Sequence, residues 1–144
     1  LLNKESGMYG LTDRQFSDMR DIEMRAIDNE PLCKRAHDVY EHRLAKYIGA
    51  YAAAMNGVDA IVFTAGVGEN SAYLRANIIN KYLGHLGISL DEENNRVRGK
   101  EVMISTADSR VKVFVIPTNE ELVIARDTSK IVKNGLKELK LWED

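Results

Sequence analysis

The chain has 144 residues, 44% of them hydrophobic and 29% charged, with a formal net charge of −2. That length and apolar content support one compact core, and the weakly acidic, mixed charge gives no ground for nucleic-acid binding. The single cysteine, Cys33, excludes an internal disulfide and has no Cys or His partner at metal-ligand spacing, no apolar run reaches the roughly 18 residues of a membrane span, and a reducing, cytoplasmic compartment is expected.

The first residue is Leu rather than Met, and the opening Leu1 to Gly7 reads as the interior of a longer polypeptide. Gly7 and Gly10 break any long helix before Phe16. Ser17 is placed to cap a short helix running to about Asp28, with Asp18 and Asp21 suiting the positive end of its dipole. Asn29 as cap and Pro31 in the first turn open the clearest helix of the chain. Its Leu32, Ala36, Val39, Tyr40, Leu44, Tyr47, Ile48, Tyr51 and Met55 follow helical spacing along one face. Lys34, Arg35, Asp38, Glu41, His42 and Lys46 occupy the other face, and Asn56-Gly57 is a stop signal.

Ala60 to Thr64 is a short β-branched run, expected as a buried and parallel strand. Ala65 to Asn70 reads as a tight glycine loop, followed by a helix from Ser71 to Leu86 that Gly87 ends. Asp91 to Lys100 is polar and predicts an exposed connection. Glu101–Ser105 and Val111–Ile116 read as strands, the second central. Pro117 to Glu121 opens a last helix through Lys133, which Asn134-Gly135 ends, and Leu136 to Asp144 adds further helical turns. This order predicts a layered α/β domain.

Two strand–loop–helix units carry the chemical signal. In the first, Gly66 and Gly68 let the backbone approach a ligand, and phosphate at such a turn is one reading. The turn has neither the third glycine of a dinucleotide fingerprint nor a Walker Gly-Lys-Ser/Thr, so an ordinary tight turn is the other reading. Glu69 would repel phosphate and suits a ribose hydroxyl or a backbone N–H. In the second unit, Thr118 and Glu121 have capping-box spacing, which assigns Glu121 to the cap and leaves Glu120 free for Mg²⁺ or for the helix dipole. Asp18 and Arg20, two apart, should point to different faces of their helix. His37, His42 and His85 have no partner set at metal or triad spacing and are expected as surface or packing residues.

Asn3-Lys4-Glu5-Ser6-Gly7, Ser17-Asp18-Met19-Arg20-Asp21, Tyr47-Ile48-Gly49-Ala50-Tyr51, Phe63 to Asn70 and Pro117-Thr118-Asn119-Glu120-Glu121 stand in the order seen in acetate kinases. The chain resembles that family over nearly its whole length, with Val67 where the family commonly has Ile. The resemblance implies an α/β fold, the C-terminal ATPase domain of the acetate and sugar kinase/Hsc70/actin (ribonuclease H-like) fold. Residues 1–144 would form that nucleotide-binding domain, with the N-terminal domain missing. The implied reaction of the intact enzyme converts ATP and acetate to ADP and acetyl phosphate with Mg²⁺.

By the same resemblance, Asp18, Met19 and Arg20 contact ATP or ADP, as do Gly66, Val67, Gly68, Glu69 and Asn70, and Glu120 is the Mg²⁺ residue. The family's acetate pocket, transition-state histidine and arginine, and catalytic aspartate match nothing in this chain. No catalytic residue is therefore expected here, and the chain alone should be inactive. A homodimer is implied, with neither nucleic acid nor membrane as partner. The alternatives are a propionate or butyrate kinase fragment, or a non-catalytic module that self-associates through the long helix.

Overall fold

The computed structural model describes residues 5–134. After a short helix α1 (Gly7–Leu11), helix α2 (Met19–Ile27) starts one residue later than Ser17 would have set it. Asp18 is the cap: its backbone is extended and its carboxylate accepts the Arg20 N–H at 2.8 Å. Asn29 does not cap α3 (Pro31–Ala54). It takes a left-handed turn (φ 63°) between the two helices, and Glu30 caps instead, accepting the Cys33 N–H at 2.7 Å. Pro31 in the first turn needs no N–H partner, as expected. Asn56 (φ 57°) and Gly57 (φ 137°) leave the helical region together and stop α3.

Strand β1 (Ala60–Phe63) pairs in parallel with β3 (Lys112–Val115), and β2 (Val102–Met103) pairs antiparallel on the far side, giving the order β1-β3-β2. The central position expected for the Val111–Ile116 strand is borne out. The register sets Ile61 opposite Val113 and Phe63 opposite Val115, and these four are buried. Val62, between two of them, is 48% exposed. The Ala60–Thr64 strand is thus parallel but buried on one face only, and it lies at the edge of the described sheet.

The Ala65–Asn70 segment is not a loop: it winds into a short helix, α4 (Ala65–Asn70). Ala65 enters it at φ 59°, a left-handed conformation that costs a residue bearing a Cβ. Helix α5 (Ala72–Tyr82) follows, capped by Ser71, whose hydroxyl accepts the Leu74 N–H at 2.9 Å. It ends four residues before Leu86, with a 3-10 turn over Gly84–Leu86 and Gly87 left-handed at φ 72°. The polar stretch after Asp91 is partly internal: a 3-10 turn over Asn94–Arg96 buries Asn95.

The main core joins Leu74, Ile78, Ile79 and Leu83 of the α5 region to Ile61, Phe63, Val113 and Val115 of the sheet, with Tyr40, Leu44 and Ile48 of α3 packed against it. Each fully buried aliphatic side chain there contributes roughly 1.5–3 kcal/mol. A second cluster, Ile22, Ala26, Cys33 and Ala36, locks α2 onto α3. Cys33 is a free, buried helix cysteine, and burial, then the neighbouring Glu30 carboxylate, pushes its thiol up to about 11.

The face of α3 divides differently from its sequence pattern. Val39, Tyr47, Tyr51 and Met55 are exposed, while Glu41, assigned to the polar face, is 0% exposed. Helix α6 (Glu120–Asn134) presents Leu122, Val123, Ile124 and Val132 to solvent. The stop at Gly135 and the helical turns expected beyond it lie outside the described residues. Among the described residues, no helix is long and apolar enough to cross a membrane.

Candidate functional site

Parallel pairing of β1 with β3 brings the two strand–turn–helix units side by side. The contact between them is direct. The Glu69 carboxylate accepts the Thr118 N–H at 2.6 Å and its hydroxyl at 2.9 Å. Glu69 thus takes the backbone N–H that the capping box assigned to Glu121. The backbone N–H of Thr118, and then its hydroxyl, hold the Glu69 carboxyl below the ordinary glutamate range. Asn119 caps α6, accepting the Leu122 N–H at 3.0 Å.

Beneath the first turn lies an arginine that sequence reasoning missed. Arg75 on α5 is 0% exposed, and its guanidinium donates to the Gly68 carbonyl at 2.8 Å, the Glu69 carbonyl at 2.9 Å and Asn95 at its side-chain and main-chain oxygens. Burial, and then the nearby Arg98 charge, pull its pKa below the usual arginine value. The last carbonyls of α4, which have no partner within the helix, are thereby satisfied from the core side. A charged residue interrupting the apolar stripe of Leu74, Ile78 and Ile79 was the available signal.

The opposite side of α4 opens onto a cleft of about 690 Å³. Of the sequence-predicted nucleotide residues, Asp18, Met19, Arg20, Gly66, Val67 and Asn70 line it; Gly68 and Glu69 do not. A Cβ added at Gly66 would meet nothing within 4 Å, so the backbone is bare at that wall. Gly68 instead faces Phe63, with its would-be Cβ 3.5 Å from that residue's backbone and no positive φ. The two glycines thus differ: Gly66 keeps the cleft open, and Gly68 lets the turn lie on β1. A shallower depression of about 500 Å³ over Pro31, Lys34, Arg35, Asp38, Val39 and His42 contains none of the predicted residues.

At the mouth of the cleft, Asp18 and Arg20 do not diverge to separate faces. The Arg20 guanidinium donates to both Asp18 oxygens, at 3.1 and 2.7 Å. The cap position explains this, since Asp18 precedes the helix and its side chain folds over the first turn. The Arg20 side chain and backbone N–H together hold the Asp18 carboxyl down at about 2. The cleft also contains Glu23, Met24, Ser71 and Arg98, none of which the sequence singled out.

Behind Glu23 is a buried polar network at the junction of α2, α3 and α5. His37, 1% exposed, donates from Nδ1 to Glu41 at 2.8 Å, and its Nε2 lies 3.5 Å from Glu23 without an aligned hydrogen bond. Glu41 also accepts from Asn77 at 2.6 Å and Lys81 at 2.8 Å. Ser71 donates its hydroxyl to Glu23. Burial alone would lower the His37 pKa, but its contacts with Glu23 and Glu41 outweigh that and raise it to about 9. His37 is therefore an imidazolium between two carboxylates rather than a passive packing residue. The i, i+4 spacing of His37 and Glu41 was the available signal, but Glu41 was assigned to the polar face of α3 and is buried instead.

Glu120 is the first residue of α6, exposed, two residues beyond Thr118, and it makes no hydrogen bond or ion pair among the described residues. No group of three or more His, Cys, Asp or Glu able to hold a metal ion occurs among those residues. Glu121 beside Glu120 is exposed and uncommitted among those residues as well. One such carboxylate is enough for an ion such as Mg²⁺, which keeps several waters and shares its shell with phosphates, rather than one needing a protein cage.

A sequence model of the acetokinase family matches residues 1–126. The acetate kinase of Thermosipho africanus is 61% identical over 139 residues, covering 96% of this chain and 34% of that protein. The acetate kinase of Thermotoga maritima is 61% identical over 135 residues, covering 92% and 33%. The chain thus spans about a third of the length of the curated relatives it matches. Among solved structures, the acetate kinase of Porphyromonas gingivalis superposes with a TM-score of 0.80 at 44% identity, over 92% of this chain and 33% of that one. A propionate kinase from Francisella tularensis does so with a TM-score of 0.76 at 40% identity, over 88% and 31%. Together with the α/β arrangement that sets the Asp18–Arg20 helix against the Gly66–Asn70 turn, these likenesses show that the chain belongs to the acetokinase family.

Proposed function

We propose that residues 1–144 are the C-terminal, nucleotide-holding domain of an ATP:acetate phosphotransferase, built on the acetate and sugar kinase/Hsc70/actin fold. The observation that carries this reading is the convergence of Asp18, Met19, Arg20, Gly66, Val67 and Asn70, far apart in sequence, on one cleft of nucleotide size. In this reading the Asp18–Arg20 pair and Met19 border the nucleoside, and the bare backbone at Gly66 admits close approach. Glu69 acts indirectly, by fastening the second turn, and Gly68 by seating α4. Glu120 would hold Mg²⁺ through its carboxylate. When bound, Mg²⁺ supplies charge neutralisation on the phosphate oxygens.

The acetate-binding and phosphoryl-stabilising groups are assigned to the part of the enzyme outside this chain. Titration of ADP into the chain, with and without Mg²⁺, tests the reading: binding that Mg²⁺ strengthens and Glu120→Ala makes Mg²⁺-independent is expected. Absence of ADP binding would overturn it. The chain alone should show no acetate-dependent ATP consumption in a coupled assay, and turnover that follows the purified chain would contradict the assignment.

One observation also favours a homodimer. Val39, Tyr47, Tyr51 and Met55 fall on one exposed stripe of α3 at helical spacing. Sedimentation at tens of micromolar should show a dimer that Tyr51→Glu disperses, and a monomer throughout would remove this assignment.

A further inference from the structure

We propose that Glu23 is a further ligand-contacting residue of the cleft, its carboxylate accepting a hydrogen bond from a neutral donor on the nucleoside. This rests on the nucleotide reading and extends it to a residue outside the Asp18–Arg20 segment. Glu23 lies on α2 one turn beyond Arg20, lines the cleft, and keeps 20% of its side chain exposed. Both of its contacts, with the Ser71 hydroxyl and with His37, fall on Oε2. Oε1 has no hydrogen-bond partner among the described residues. A carboxylate is held by one oxygen while the other remains available in a ligand-sized cleft.

Glu23 compensates the buried His37 charge together with Glu41, which is shared with Lys81, and it does so through Oε2 alone. Glu41 meets the imidazole at 2.8 Å, whereas Glu23 stands 3.5 Å away without an aligned bond. The sequence of supports runs inward from the cleft: Ser71 and His37 orient Glu23, Glu41 orients His37, and Asn77 and Lys81 orient Glu41. Buried polar networks are costly unless fully satisfied, and in return they fix geometry. Here the fixed geometry ends on a cleft-facing acid.

The charge of Glu23 excludes a phosphate as its partner and selects a hydrogen-bond donor. A nucleoside offers two, the ribose hydroxyls and the exocyclic amine of adenine. Calorimetric titration of the chain with ADP, 2′-deoxy-ADP, 3′-deoxy-ADP and inosine diphosphate separates them. The wild type should lose about tenfold or more in affinity for at least one analogue, because a site built to bond a donor is left unpaired when the donor is absent. In Glu23→Gln that same penalty should shrink to within about twofold while ADP itself binds about tenfold more weakly. A deoxy analogue identifies the ribose as partner, and the inosine compound identifies the base. His37→Gln should weaken binding yet retain the wild-type analogue pattern, as expected of a positioning residue.

The inference is overturned if the wild type binds all four compounds alike, a result that needs no variant to fold. It is also overturned if Glu23→Gln keeps the wild-type analogue penalties. A wild type that binds none of the four compounds overturns the nucleotide reading, and this inference with it.

Discussion

The turns after β1 and β3 begin alike and are secured in opposite ways. The first, over Ala65–Asn70, is gripped from the core by the buried Arg75, which leaves its other side bare to the cleft. The second, over residues 116–119, makes no comparable core contact through Thr118; its N–H and hydroxyl lean on Glu69 of the first. The first turn is therefore independent and the second depends on it. A binding wall that must stay open on one face has to be fastened on the other, and a fork of guanidinium donors does this with several bonds from one side chain.

The largest expected effect breaks the grip itself. Arg75→Met leaves the Gly68, Glu69 and Asn95 carbonyls without their donor, at about 1–3 kcal/mol for each buried group left unpaired. Urea denaturation should show a loss on the order of 3 kcal/mol or more, and both turns should lose amide protection together. Protection lost in the first turn alone would refute the dependence of the second.

A pH series sharpens the contrast between the buried network and the exposed contact. The folded His37 pKa is raised, so its contribution is complete below the unfolded value near 6.5 and is lost as pH rises through about 9. The shift corresponds to roughly 3 kcal/mol between pH 6 and pH 10, and His37→Gln should flatten that limb of the stability curve. The folded Glu69 pKa is lowered, so its contribution is present above the unfolded glutamate value and disappears as pH falls through the folded one. The His37 contribution is thus lost in alkali, whereas the bond between the turns is lost in acid, as are the contributions of Glu23 and Glu41, whose carboxyls their partners also hold below the ordinary range. An alkaline limb unchanged by His37→Gln would remove the imidazolium assignment.

The two glycines divide the first turn into a binding face and a packing face. Gly66→Val should weaken ADP binding by at least about tenfold with a melting temperature within a few degrees of wild type, because its side chain enters the open cleft. Gly68→Val should act mainly on stability, by about 1–3 kcal/mol, because its methyls press on Phe63. The reverse pattern would invert the assignment. The smallest effects separate the two glutamates. Glu69→Ala should lower the melting temperature and free the Thr118 amide to exchange, while Glu121→Ala, which caps nothing, should stay within about 0.5 kcal/mol of wild type. Equal effects would restore the capping box.

Asp18, Met19, Arg20, Gly66, Val67 and Asn70, which the fold brings to one cleft, stood out in the sequence because short motifs keep their residue types wherever the chain folds. Arg98 did not, since an arginine in a polar stretch looks the same in solvent as at the rim of a cleft. Glu41 was misplaced for a related reason. Periodicity finds the apolar stripe of a helix, but α3 is contacted by α2 and α5 along only part of its length, so part of the stripe stays bare and part of the polar face is covered.

The sequence by itself determined the extent of α3, the parallel strands β1 and β3 and the helices after them, because Pro31, Gly57, β-branched runs and helical spacing act through neighbours a few residues away. The caps went to Asp18, Glu30 and Asn119, each within a residue of where local signals pointed. Only the tertiary structure decided which carboxylate meets Thr118, that Arg75 sits under the glycine turn, and that Glu23 is backed by His37. Those partners are 49, 6 or 7, and 14 residues apart (Glu69 to Thr118, Arg75 to Glu69 and Gly68, Glu23 to His37). Hydrogen bonds and ion pairs between such groups depend on distances of a few ångströms, which are set by how whole elements pack and not by the residues on either side of each group.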